Sequence, residues 1–89
     1  MNDLGTELDQ LTFEERELIQ KIEVCEGCIS AVFDYILENG DPTAVQIGEY
    51  ILSSIHTIDK DLQTELLHIR LEKSFLESKI KLMNTAMSN

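Results

Sequence analysis

Residues that favour tight turns and sheets are scarce in this sequence. It contains one proline, four glycines, no tryptophan and 6% aromatic residues, against 43% hydrophobic residues overall. So little turn-forming material excludes a fold built from many short strands, and the plentiful aliphatic residues predict an all-α protein. Its 89 residues are expected to form one helical domain, residues 1–89.

Basic residues are scarce as well. Seven Lys and Arg stand against seventeen Asp and Glu, which gives a formal net charge of −10. Binding to nucleic acid through its phosphates is therefore excluded, because that mode needs cationic side chains to displace counterions. An anionic membrane surface is excluded for the same reason. A protein partner, with basic character, is the partner that the charge favours.

Long hydrophobic runs and cysteine frameworks are absent from the sequence. No apolar run approaches the roughly 20 residues that cross a bilayer, and the acidic N-terminus does not resemble a secretory signal. Two cysteines are too few for a disulfide framework. We therefore expect a cytoplasmic protein in a reducing compartment, with no membrane partner.

The segment from Leu37 to Thr43 is typical of a turn between two helices. Asn39 and Gly40 tolerate the left-handed conformation that closes a helix. Asp41 suits the N-cap of a following helix, and Pro42 suits its first position. Because so short a link makes neighbouring helices antiparallel, the sequence predicts a helical hairpin that bends near Gly40.

The first helix is predicted over residues 13–38. Thr12 and Glu15 have the spacing of a capping box, which places the helix start at Thr12. An apolar series with alternating spacings of four and three residues follows, as in coiled coils and helical bundles, and runs through Leu18, Ile22, Cys25, Ile29, Val32 and Ile36. Residues 1–11 are expected to be partly ordered, with Leu4, Leu8 and Leu11 resting on the core.

The second helix is predicted over residues 42–86. Its apolar stripe begins with Ala44, Ile47, Ile51, Ile55 and Ile58, and continues with Leu62, Leu66, Ile69, Leu76, Ile80 and Met83. Neither glycine nor proline interrupts residues 49–89, which favours one continuous helix. A break near residues 53–59, giving a three-helix bundle, is the alternative.

The two predicted helices differ in length, and this difference predicts a contact surface. In an antiparallel hairpin with equal rise in both helices, about 1.5 Å per residue, the numbers of facing residues have a constant sum. With a bend near Gly40 this sum is about 81, so Phe13 would face His68 and Gly48 would face Phe33. Residues 69–87 would then project beyond the first helix. Residues 1–11, a third helix, or a second molecule are the three ways to cover them. We favour a second molecule. It would be either a second copy of the chain, which gives a homodimer forming a coiled-coil-like four-helix bundle, or a partner protein with Phe75 as the anchor of the contact. The predicted partner-binding residues are Ile69, Leu71, Phe75, Leu76, Ile80, Leu82 and Met83.

Cys25 and Cys28 form the one chemical motif in the sequence. Thiols three residues apart have the spacing of a redox pair or of half a metal site, and the estimated pairing places His56 opposite Cys25. However, Glu23 and Glu26 disfavour a thiolate, and Cys25 lies on the apolar series, where free cysteine acts as a small hydrophobe. We therefore interpret both as packing residues, and predict no cofactor, no metal site and no catalytic residue.

The predicted function is that of a small acidic protein–protein interaction module, without enzymatic activity. It would act as an adaptor, an assembly chaperone or an inhibitor of a partner protein. Two alternatives remain open. One is a metal- or redox-responsive switch through Cys25, Cys28 and His56. The other is an acidic decoy that mimics nucleic acid and blocks a basic protein.

Overall fold

Two long helices joined by a two-residue link form an antiparallel hairpin. The computed structural model describes residues 3–87, with side chains to residue 85. Helix α1 spans Leu4–Asn39 and helix α2 spans Pro42–Met87. The Cα atoms extend over 70 × 20 × 14 Å. The predicted hairpin with a long second helix is confirmed, and because α2 is unbroken, the three-helix alternative is wrong.

The turn has the geometry that its residues predict. Gly40 is left-handed, with φ 60° and ψ 6°, and its N–H donates to the Ile36 carbonyl at 2.8 Å. This bond satisfies one of the carbonyls left free at the end of α1. Asp41 Oδ1 accepts from the Thr43 N–H at 2.8 Å and so caps α2, which begins at Pro42.

The start of α1 differs from the prediction. Asp3 is the N-cap, and its Oδ1 accepts from the Gly5 N–H at 2.9 Å. Thr12 lies inside the helix and donates its hydroxyl to the Leu8 carbonyl at 2.9 Å, so the capping box at Thr12 is wrong. The physical reason is tertiary: residues 4–11 gain apolar contacts by continuing as helix, and helices in proteins owe most of their stability to such packing.

The helices meet along a seam in which inward-facing residues are spaced four and three apart. Its tightest part packs Leu18, Ile22 and Leu66 together, with Ile19, Leu62 and Ile69 against them. From α1 the seam comprises Leu4, Leu8, Leu11, Glu15, Leu18, Ile22, Cys25, Ile29, Val32 and Ile36, each buried or half-buried. From α2 it comprises Ala44, Gly48, Leu52, Ile55, Asp59, Leu62, Leu66, Ile69, Lys73, Leu76 and Ile80, likewise buried or half-buried. This spacing is the heptad pattern of a coiled coil.

The predicted stripe on α2 is right at Ala44, at Ile55 and from Leu62 to Ile80, and wrong at the remaining positions, which are Ile47, Ile51, Ile58 and the 52% exposed Met83. Ile47, Ile51 and Ile58 are 51%, 42% and 53% exposed, so they lie outside the seam. Gly48 and Asp59 lie inside it instead. The reason is that the two helices approach each other closely at Gly48. A Cβ atom on Gly48 would lie only 2.8 Å from Ile36 Cγ1, so a larger residue at this position would hold the helices apart.

The pairing of the two helices is also shifted from the estimate. Gly48 packs on Ile36 rather than on Phe33, so facing residue numbers sum to about 84 instead of about 81. Cys25 accordingly lies near Asp59 rather than opposite His56. The prediction that α2 projects beyond α1 is wrong for residues 69–80, because α1 reaches back to Leu4 and covers α2 as far as about Ile80. Of the three predicted ways to cover this part of α2, packing by residues 4–11 is the one that the structure shows. Leu76 is only 7% exposed.

Candidate interaction surfaces

The hairpin buries little apolar side-chain surface for its length. Among the described residues, the buried hydrophobic side chains are Leu18, Ile22, Leu66 and Leu76. Fifteen large hydrophobic residues, by contrast, are each more than a third exposed. Single exposed apolar residues are ordinary, but contiguous groups of them mark contact surfaces. In each half of the described hairpin, exposed apolar residues border a groove between the helices.

The structure divides the seven predicted partner-binding residues into two classes. Leu76 is buried, and Ile69 and Ile80 are half-buried in the seam, so these three are not available to a partner. The four that remain exposed are Leu71, Phe75, Leu82 and Met83. These three residues are covered because α1 extends further than the sequence indicated, and partner binding through the other four stays a prediction.

The first surface, which we name the open-end strip, consists of Leu71, Phe75 and Leu82. Their spacings of four and seven residues place them on neighbouring faces of α2, away from the seam. Phe75 is 65% exposed. It borders a shallow groove of about 390 Å³ between the helices, lined by Glu7, Gln10, Leu11, Glu72, Phe75, Leu76 and Lys79. The strip combines an exposed aromatic ring with an adjacent concavity.

The second surface lies in the half of the hairpin nearest the turn, and sequence reasoning missed it. A groove of about 410 Å³ there is lined by Ala31, Val32, Tyr35, Ile36, Asp41, Thr43, Ala44, Ile47, Gly48 and Ile51. The apolar lining continues by seven-residue repeats, from Ala31 back to Val24 and from Ile51 on to Ile58. We name the groove lined by these ten residues the turn-half groove. The signal that could have revealed it is a second seven-residue series through Ala44, Ile51 and Ile58.

Acidic residues in the turn half lie mostly away from this groove. Glu23, Glu26, Asp34 and Glu49 are exposed, but none of them lines it. Glu23 and Glu26 instead border a polar groove on the opposite side, together with Lys60 and Arg70. These four acidic residues of the turn half therefore lie outside the groove.

A charged contact interrupts the seam in the open half. Glu15 accepts from Lys73 Nζ at 2.8 Å and from Arg70 Nε at 3.0 Å. The hydrogen bond from Lys73, followed by that from Arg70, holds the pKa of the Glu15 carboxyl below its ordinary value. These three side chains thus join the acidic first half of α1 to the basic second half of α2.

The two cysteines occupy different environments. Cys25 is half-buried in the seam and Cys28 is exposed. Partial burial raises the pKa of the Cys25 thiol, and the Asp59 carboxylate raises it further. Asp59 itself has one buried oxygen, Oδ1, without a hydrogen-bond partner, while Oδ2 accepts from Gln63 at 3.1 Å. Within residues 3–87, no three His, Cys, Asp or Glu side chains are grouped so as to hold a metal ion.

Neither described helix contains a stretch long and apolar enough to cross a membrane. No protein family, curated protein or solved structure shows significant similarity to this chain.

Proposed function

We propose that this protein is an interaction module that binds another protein through the open-end strip. Through that contact it acts as an adaptor, an assembly chaperone or an inhibitor of its partner. The observation that carries the proposal is the position of Phe75, which lies outside the seam, largely exposed, beside a groove between the helices. Aromatic side chains that enter a partner's pocket contribute much of the binding energy of an interface.

The chemistry around Phe75 and the charge of the chain favour a partner with an apolar pocket and a basic rim. Leu11 and Leu76 supply apolar lining to the groove, and its polar lining comes from Glu7, Gln10, Glu72 and Lys79. The chain's net charge of −10 attracts a basic partner over a longer range. Charge of this kind raises association rates and excludes acidic competitors, while the apolar contact supplies the affinity.

The metal- or redox-switch alternative has less support. Asp59, rather than His56, lies near Cys25, and the raised pKa of that thiol disfavours the thiolate that both chemistries need. Its partial burial in the seam fits a packing residue better than a reactive one.

Affinity capture from the native host tests the proposal with a matched pair of variants. Phe75→Ala removes the proposed anchor, and Phe13→Ala removes a similarly exposed phenylalanine from α1. Proteins captured by the wild type and by Phe13→Ala, but depleted about tenfold or more with Phe75→Ala, would support the contact. Circular dichroism should confirm equal helical content in all three. The same captured proteins in all three samples would refute the open-end strip as the binding surface.

A further inference from the structure

We propose that the turn-half groove is a self-association surface on which a second copy of this chain packs. The two copies are antiparallel, related by a two-fold axis that passes near Ala31 and Ile51. Their turn halves form a four-helix bundle, and their open halves point in opposite directions. This inference goes beyond the partner contact proposed above, because it uses the other half of the molecule.

The first argument is the uncharged character of the groove's flanks. At the heptad positions that border it, α1 places Cys28 and Tyr35, while α2 places Ala44, Ile51 and Ile58. Small residues let a second helix pair approach, and the exposed Tyr35, Ile47 and Ile51 supply apolar area around them. Two hairpins that bury such faces against each other make a four-helix bundle with one continuous core.

The second argument is charge complementarity along the groove side. Lys21 lies beyond its open-half end, where it borders the same depression as Val24 and Ile58. Glu38 and Asp41 lie at the opposite end, by the turn. Ala31 is ten residues from Lys21 and ten from Asp41, so an antiparallel two-fold axis there brings the Lys21 of each copy to the acids of the other. A parallel dimer would instead gather the Glu38 and Asp41 side chains of both copies at one end and both Lys21 side chains at the other.

The third argument separates a second copy from a basic partner. A basic protein would be drawn to Glu23, Glu26, Asp34 and Glu49, and none of these lines the groove. A second copy needs no counter-charge on the groove side except the two ends already described. In the antiparallel arrangement, moreover, these four acidic residues lie outside the groove in both copies.

The size of the surface sets the expected strength of the dimer. From Lys21 to Gly40 the helices run about 28 Å, at about 1.5 Å per residue. With a face 20 Å across, the contact covers about 500 Å² on each copy. A total near 1,000 Å² is at the lower limit for specific association, so a dimer in rapid exchange with monomer is expected.

Sedimentation velocity over about 5–500 μM tests self-association with a matched pair of variants. Ile47→Gln changes the groove side, and Phe33→Gln changes a similarly exposed residue on the other side of the same half. We expect the wild type and Phe33→Gln to dimerise with constants within about threefold of each other, and Ile47→Gln to dimerise about tenfold more weakly or worse. A wild type that is monomeric throughout, or equal dimerisation by all three, would overturn the proposal.

Cysteine cross-linking tests the antiparallel axis. In a Cys25→Ser, Cys28→Ser background, Ala31→Cys places a thiol near the axis, and Val24→Cys places one seven residues away. With oxidised glutathione, Ala31→Cys should form disulfide-linked dimers and Val24→Cys should not, because its sulfurs would be about 20 Å apart. Cross-linking of Val24→Cys as well as Ala31→Cys, or of neither variant, would exclude the axis near Ala31.

A charge exchange provides a further check, and Phe75→Ala separates this proposal from the previous one. Lys21→Glu should weaken dimerisation several-fold, and adding Glu38→Lys should restore it. Restoration would not occur if the two residues never approach each other.

Phe75→Ala should leave the dimerisation constant unchanged, so that loss of the partner and loss of the dimer are observed independently. A weaker dimer with Phe75→Ala would contradict the placement on the turn half.

Discussion

Lys73 Nζ lies 2.8 Å from Glu15 Oε1, so an ion pair joins the two helices inside a largely apolar seam. Both side chains are about four-fifths buried. Arg70, which is more exposed, approaches the second carboxylate oxygen at 3.0 Å. A slip of one turn between the helices would leave Glu15 and Lys73 facing aliphatic residues, and a charge so placed without a partner is costly. The pair therefore selects the observed pairing of the helices.

Replacing the carboxylate tests this role through its pH dependence. Because Lys73 and Arg70 hold the pKa of Glu15 below its ordinary value of 4.5, the carboxylate stabilises the folded chain above that value. This stabilisation is lost as the pH falls through the lowered pKa of the folded state. Glu15→Gln should lower the free energy of unfolding by about 1 kcal/mol at pH 7, and by progressively less as the solution is acidified below about pH 4.5.

Chemical denaturation at several pH values measures that difference, with Glu17→Gln as the control. Glu17 is exposed on the same helix, so its substitution should change stability by less than about 0.5 kcal/mol. Equal effects of the two substitutions, or a Glu15 effect that grows on acidification, would contradict the assigned role of the ion pair.

The two glycines inside helices are expected to respond oppositely to alanine. A Cβ at Gly27 meets open space, so Gly27→Ala should raise the free energy of unfolding by about 0.5–1 kcal/mol through helix propensity. A Cβ at Gly48 meets Ile36, so Gly48→Ala should lower it by about 1 kcal/mol, the steric cost exceeding the propensity gain. Thermal or urea unfolding measures both. Similar stabilisation by the two substitutions would mean that the helices do not approach closely at Gly48.

Gly40 is the turn residue most sensitive to substitution. Its φ of 60° is unfavourable for a β-branched side chain, so Gly40→Val should destabilise the hairpin by about 1 kcal/mol or more. Asparagine tolerates this conformation better, so Gly40→Asn should have a smaller effect. The melting temperatures of the three proteins provide the measurement, and equal values would argue against a left-handed residue 40.

The environment of Cys25 predicts a measurable change in thiol reactivity. Asp59→Asn removes a negative charge near Cys25, so the pKa of that thiol should fall toward its ordinary value. In a Cys28→Ser background, the rate of alkylation by iodoacetamide should then rise at a lower pH than with Asp59 present. An unchanged pH profile would show that Asp59 does not act on Cys25.

Much of the fold follows from local chemistry and from the spacing of apolar residues. The turn could be predicted because Gly40, Asp41 and Pro42 each suit one position of a helix link for reasons internal to the backbone. The seam from Leu18 to Ile36 could be predicted because spacings of four and three residues bring apolar side chains onto one face of a helix. These features depend on neighbours in the chain, so the sequence alone determines them.

Other features were decided by contacts between distant residues. Thr12 carries a complete local signal for a helix start, yet α1 begins at Leu4, because Leu8 and Leu11 gain packing on α2 that the local signal does not express. The first half of α2 offers two apolar series, and the close approach of Gly48 to Ile36 selects the one that leaves Ile47 and Ile51 outside. The apolar residues that do not enter the seam remain exposed and form the candidate surfaces. Local propensity therefore determined the helices and the bend, and tertiary packing decided which side faces inward and which is left for another molecule.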